Sequence, residues 1–305
     1  MGVHGGNRPA GLFLFKLYAI AIILIATGCA YSPKLIHDKP HTVYVVRGDK
    51  DDLLTRFAPA FLTYHHVKSY NRIGRPSALV DEKGGEQIYV DHHNPAVYAM
   101  MSRFSGRNGI YTNLIYRIHF SKVPFSIIPF HLTAGKNAGL LVVVTIDAHK
   151  RPLLVTTVGT CGCYVAVAPT THLSVSAFPE DWRKEPLKVY GERLPPLLDF
   201  KGRKCPALLV HLRSAVHRVM HLEVVEEERL KDPETYAMIE APLMPMEALE
   251  HIPINGGNTS FFYDRGLLKG HVKGSVKPWE TLLMSLISLD LFVGADKVFG
   301  NSSST

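Results

Sequence analysis

Cys161 and Cys163 stand one residue apart, with Gly162 between them, inside the β-prone run Gly139 to Pro169. On a regular strand, residues two apart project from one face, so both sulfurs would lie side by side. Three chemistries follow from that placement. A disulfide would close a very small ring, and bridges so constrained are the more oxidising and labile kind. Cys205 is then a competing partner for either sulfur. Two adjacent thiolates would instead suit zinc or Cu(I), although the well-attested zinc spacing is Cys-x-x-Cys. Thiol–disulfide exchange is the third. His65-His66 and His92-His93, the latter after Asp91, offer imidazoles for a metal set, and His131 is a further candidate ligand. Neighbours on a strand face opposite ways, so each pair could turn one ring inward. The competing reading places His92 and His93 in a surface turn before Asn94-Pro95, a good helix cap and first position.

The elements that must position these residues are mainly strands. Gly139 to Ile146 and Leu153 to Val158 flank the turn-type residues Asp147, His149 and Pro152, which predicts a hairpin, and Cys163 to Ala168 reads as a third strand. Runs this continuously apolar point to strands covered on both faces. A second hairpin is expected across Gly84-Gly85, from Ser77–Asp81 to Gln87–Val90. Thr42–Val46, Ile110–Val123, Ala207–Arg213 and His217–Val225 also read as strands. Helices are expected over Asp49–Phe57, over Pro95–Phe104, in part of Glu226–Ile252, and from Pro278 to Val293. The last is apolar almost all round and therefore reads as buried. The predicted fold class is α+β, a mixed, mainly antiparallel sheet core with a few packing helices. One domain over residues 42–305 accounts for it, with a possible subdomain seam near 170–200, where Pro179, Pro186, Pro195 and Pro196 cluster around Trp182.

Several function classes lose support from the same reading. The chain has no Gly-x-Ser-x-Gly elbow, His-Glu-x-x-His pair, phosphate loop or dinucleotide fingerprint. His217 and His221 have the spacing of a helical zinc pair, but Arg218 stands where a zinc protease needs glutamate. The formal charge is +7, yet the cations form no long run and Glu226-Glu227-Glu228 interrupts them, so nucleic acid is not an expected partner. A hydrophobic content of 46% with 20% charged residues is what a packed globular domain requires, which excludes wholesale disorder. A hydrolase assembled from a histidine and a distant Ser or Asp is an arrangement that spacing does not decide.

The first thirty residues address location. Arg8 precedes an apolar stretch, Gly11 to Ala26, broken only by Lys16 and ending at Thr27-Gly28-Cys29. A basic start, apolar centre and small residues before a cut are the parts of a secretory signal. Ala26-Thr27-Gly28-Cys29 resembles the lipobox of bacterial lipoproteins, with Ala26 where leucine is commoner. The resemblance implies a signal peptide over 1–28, lipidation at Cys29 and a tether over 29–41. It also implies a protein on the periplasmic side of the envelope, with Ala30 favouring the outer membrane. An uncleaved anchor is the alternative, although Leu17 to Ala26 is short for a span, which takes ~20 apolar residues.

Pro129-Phe-His-Leu-Thr-Ala-Gly-Lys-Asn137, Thr160-Cys-Gly-Cys-Tyr164 and Val272-Lys-Gly-Ser-Val-Lys-Pro-Trp279 together resemble segments of a group of uncharacterised bacterial lipoproteins that carry no assigned activity. The expected function is a membrane-anchored, non-catalytic binding or scaffolding module with protein partners in the envelope. The alternative is a metal-binding or thiol-redox protein centred on Cys161 and Cys163. No cofactor is expected on the first reading, and Zn or Cu on the second.

Overall fold

A computed structural model describes residues 41–178, 187–189 and 191–288. Chain order gives β1 (His41–Val46), the one-turn helix α1 (Leu53–Arg56), β2 (Ala60–Thr63), β3 (Ile73–Val80), β4 (Glu86–Asp91), β5 (Val97–Gly106) and β6 (Gly109–Val123). Then come β7 (Gly135–Ile146), β8 (Pro152–Gly159), β9 (Ala166–Pro169), β10 (Leu187–Val189) and β11 (Glu192–Leu194). The C-terminal third holds β12 (Pro206–Leu212), β13 (Val219–Glu226), α2 (Glu227–Leu230), β14 (Tyr236–Ala241), β15 (Leu243–Pro245), β16 (Ile252–Ile254), β17 (Gly257–Thr259) and α3 (Pro278–Ser288).

These strands form a sandwich. One sheet has the order β13-β12-β2-β1-β14, and the larger one runs β15-β5-β6-β7-β8-β9 with β3 attached to β6 and β4 to β3. Alternation along β7 explains how the larger sheet is covered twice. Leu140, Val142 and Val144 point to Phe61, Val210 and Leu222 of the facing sheet. Leu141 and Val143 point the other way, to Ile115, Met100 and Met246. Further along that outer face, Leu249, Ile252, Phe261 and Phe262 pack on Val90 and Tyr98. Both side-chain sets of a strand are thus removed from water, each buried Val or Leu contributing roughly 1.5–3 kcal/mol. Val189, Leu194, Leu198 and Phe200, from the proline-rich segment near 170–200, lie in the same central core.

The expected α+β class is corrected here. Among the described residues strand takes 49% and helix 11%, so the fold is sheet-rich. Residues 95–104 account for part of the difference. Val97, Met100, Met101 and Phe104 have helical spacing, but the segment is the strand β5, paired with β6 from Tyr98↔Arg117 to Gly106↔Gly109. Nine cross-strand partners outweigh a weak helical propensity. Glu226–Ile252 is helical only in part, at the single turn α2 and a 3-10 turn over Met246–Glu250, and between them β14 joins β1 in parallel. In α3, Trp279 is 40% exposed and Leu282 56% exposed, so its described part is not buried all round. The continuation to Val293, the signal segment, Cys29 and Trp182 lie outside the described residues.

Candidate functional site

Because β8 runs from Pro152 to Gly159, its two flanking turns sit at opposite ends of the sandwich, and each end has its own chemistry. At the Gly159 end, Cys161 and Cys163 are joined to each other, with Sγ–Sγ 2.02 Å. The turn that carries them is pinned by Gly162 N–H donating to Gly159 O (2.7 Å) and Gly159 N–H donating to Cys163 O (2.8 Å). Gly162 has φ +85°, a conformation that L side chains rarely adopt, and a Cβ on Gly159 would stand 3.1 Å from Cys163 Sγ. The strand expected from Cys163 therefore begins only at Ala166. Both cysteines are half-buried, and Glu280, from the first turn of α3, brings a carboxylate oxygen within 4.8 Å of both sulfurs. Joined, the sulfurs offer no thiolate; reduced, they and Glu280 form an S₂O donor set.

The charged and aromatic side chains beside this turn are matched within the chain. Arg218 lies over the Tyr164 ring, 5.8 Å from its centre, and also pairs with Glu192 at 2.9 Å. Glu192 additionally binds Arg213, and all three side chains are at most 12% exposed. His217 is buried and stacks flat on Phe120, with ring centres 3.8 Å apart. Burial pushes its imidazole down to about 3, the Tyr70 backbone opposes this, and the charges of His131 and Lys277 add to it. The ring is thus neutral and buried.

At the Pro152 end the two sheets part. An open cleft of about 460 Å³ is rimmed by the β1–α1 segment, the β7–β8 turn and the loop from Phe200 to Pro206. Arg56, Lys150, Arg203 and Lys204 line it and have no carboxylate within ion-pair distance among the described residues. Arg151 is held by Asp147 at 2.6 Å, and Lys50 lies 3.4 Å from Glu227, the acidic residue of the lining. A slot of about 60 Å³ adjoins the cleft, where apolar Val46, Ala60, Val144 and Leu208 share the lining with charged Arg47, Glu227 and Lys231. Phe57, Phe200 and Pro206 belong to both cavities, as do Lys50, Arg56 and Glu227.

Two histidine networks complete the inventory. On the outer face of the smaller sheet, Tyr64 Oη and His211 Nδ1 are 2.9 Å apart, and His211 Nε2 lies 2.9 Å from Glu223 Oε1. Burial, then the charges of Tyr236 and Glu223, push the Tyr64 phenol up to about 12. It therefore keeps its proton while sharing a hydrogen bond with His211 Nδ1. Within the larger sheet, Arg117 Nε donates to His119 Nε2 at 3.1 Å, and both residues are fully buried. Burial first, and then the Arg117 charge, hold His119 well below its usual value, which keeps the accepting lone pair available.

Among the described candidates, Cys161 and Cys163 come together and no histidine joins them. Cys205 is exposed and unbonded, at the other end of the sandwich on the cleft rim. His92 stays in the β4–β5 turn, its ring 4.1 Å from that of His93. His131 donates Nδ1–H to Pro124 O at 2.8 Å. Neither joins the sulfurs, so the expected Zn or Cu set loses its nitrogen ligands; Glu280, which no local spacing pointed to, takes the adjoining position. Compared with models of protein families, with curated proteins and with solved structures, the chain matches none. Among the described residues no helix is long and apolar enough to cross a membrane.

Proposed function

We propose that the protein is a lipid-anchored binding module of the bacterial cell envelope, held at Cys29, facing the periplasm, and binding through the open end of its sandwich. Support for the anchor is the Ala26-Thr27-Gly28-Cys29 run after its short apolar centre. The observation that carries the binding reading is the open cleft, where three separate loops place cations around a concave surface. Loops at one end of a rigid sandwich are where such folds commonly carry their sites. Radiolabelled palmitate fed to bacteria expressing the full chain should label the protein in the membrane fraction, and Cys29→Ser should abolish the label. An unlabelled wild-type protein recovered in the cytosol would remove the envelope assignment.

A second reading is favoured by the half-exposed Cys161–Cys163 bridge beside Glu280. In thiol–disulfide exchange, an external thiolate would attack one sulfur to form a mixed disulfide, and a second substrate thiolate would release the pair as two thiols. The substrate dithiol is thereby oxidised and the bridge reduced, with the Glu280 carboxyl group beside both sulfurs. A reduced dithiol peptide incubated with excess protein would then become oxidised, with two thiols appearing at Cys161 and Cys163. Equal oxidation by a Cys161→Ser, Cys163→Ser variant would rule this out.

A further inference from the structure

Resting on the reading of the open end as the binding site, we infer that its ligand is an anionic amphiphile, a phosphate headgroup at the cationic rim and a short apolar tail in the slot. Arg56, Lys150, Arg203 and Lys204 come from α1, the β7–β8 turn and the Phe200–Pro206 loop, and converge on one cleft without carboxylate partners among the described residues. Like charges gathered this way repel one another, and a bound anion offsets that cost. Burial and then the charges of Lys201 and Arg151 hold the His172 imidazole on the rim below its usual value, against Asp147 and Asp199. Guanidinium forks and ammonium groups together match the oxygens of a doubly charged headgroup.

Charge alone would suit any anion. The adjoining slot adds the second requirement. Its lining combines apolar Val46, Ala60, Val144, Leu208 and Met238 with charged residues that include Glu227, and at 60 Å³ it has room for on the order of four water-sized groups, the end of a short chain. Phe57 and Phe200 line both cavities together with Lys50, Arg56 and Glu227, so the slot opens directly off the cationic cleft. Headgroup and tail are therefore given fixed places. A concave cleft of this size suits one compact headgroup, whereas a polyanion would call for an extended basic stripe.

Cys205 supplies the readout, because it is exposed, unbonded and part of the cleft lining. The full chain, lipidated and held in phosphatidylcholine nanodiscs, is alkylated with iodoacetamide in the presence of hexyl phosphate, inorganic phosphate or hexanol. Hexyl phosphate should slow alkylation at concentrations at least about tenfold below those needed for inorganic phosphate, and hexanol should leave the rate unchanged. Arg56→Gln with Lys150→Gln, both exposed and away from Cys205 in sequence, should weaken the protection by about tenfold or more while the melting temperature stays the same. Protection by hexanol equal to that by hexyl phosphate would overturn the headgroup assignment and leave the cleft as a binding site. Inorganic phosphate acting as well as hexyl phosphate would overturn the tail. No protection by any probe would end both this inference and the binding reading beneath it.

Discussion

At one end of β8, the Gly159 turn is bonded through Cys161–Cys163 and walled by Arg218, Glu192 and the His217–Phe120 stack; at the other end, the Arg151 turn leaves an open cleft rimmed with cations. Both ends gather charge. At the closed end Glu192 answers Arg213 and Arg218, and the group is buried. At the open end Arg56, Lys150, Arg203 and Lys204 remain exposed and face water. Buried charge must be matched within the chain, whereas exposed charge can wait for a ligand. This contrast separates what holds the fold from what is available for binding.

The sharpest way to break the comparison is at Glu192. Glu192→Ala strands the buried Arg218 and the largely buried Arg213 guanidinium groups and should cost ~3–5 kcal/mol in denaturant unfolding, as expected when one member of a buried ionic cluster is lost. A loss below about 1 kcal/mol would mean that the cluster is hydrated and the end is not closed. Acid is the next test. Below pH 6.5 the unfolded chain protonates His217, whereas the folded ring resists to about 3, so stability is full above 6.5 and falls through that window. The slope should approach about 1.4 kcal/mol per pH unit from this residue. His119 adds to it in the same direction. His217→Asn, which tolerates the residue's φ of 57°, should flatten the slope between pH 6 and 5; an unchanged profile would show that this ring titrates normally.

Smaller effects follow. Cys161→Ser with Cys163→Ser opens a ring spanning a sequence separation of 2. Loop-closure entropy assigns such a ring about 1.5 kcal/mol, to be read as a shift of the denaturant midpoint. Smallest of all, Arg56→Gln with Lys150→Gln should alter stability by less than about 0.5 kcal/mol, as exposed substitutions do. A large loss there would make the open end structural as well.

The sequence was legible where signals were local. Gly84-Gly85 between two β-prone runs marked the β3–β4 hairpin, and the Val-rich runs of β7 and β8 marked strands covered on both faces. For β5 the relevant signal was Gly106-Arg107-Asn108-Gly109, a tight turn between β-prone runs, which the helical spacing of Val97, Met100 and Phe104 masked. Cross-strand partners decide such cases, and they lie far along the chain. The two ends differ in the same respect. Cys161 and Cys163 announce themselves by spacing, but Glu280 reaches them from over a hundred residues away. The cleft had no contiguous signature, because Arg56, Lys150, Arg203 and Lys204 are brought together only by the sandwich. A search for runs of basic residues passes over such a site.

Which end binds can be decided by one titration. Backbone amide spectra of the full chain in phosphatidylcholine nanodiscs, recorded with increasing hexyl phosphate, should shift at residues 47–58, 149–152 and 200–207 and stay fixed at 159–165. Shifts confined to 159–165 and 213–218 would place the working surface at the bonded turn and contradict the account.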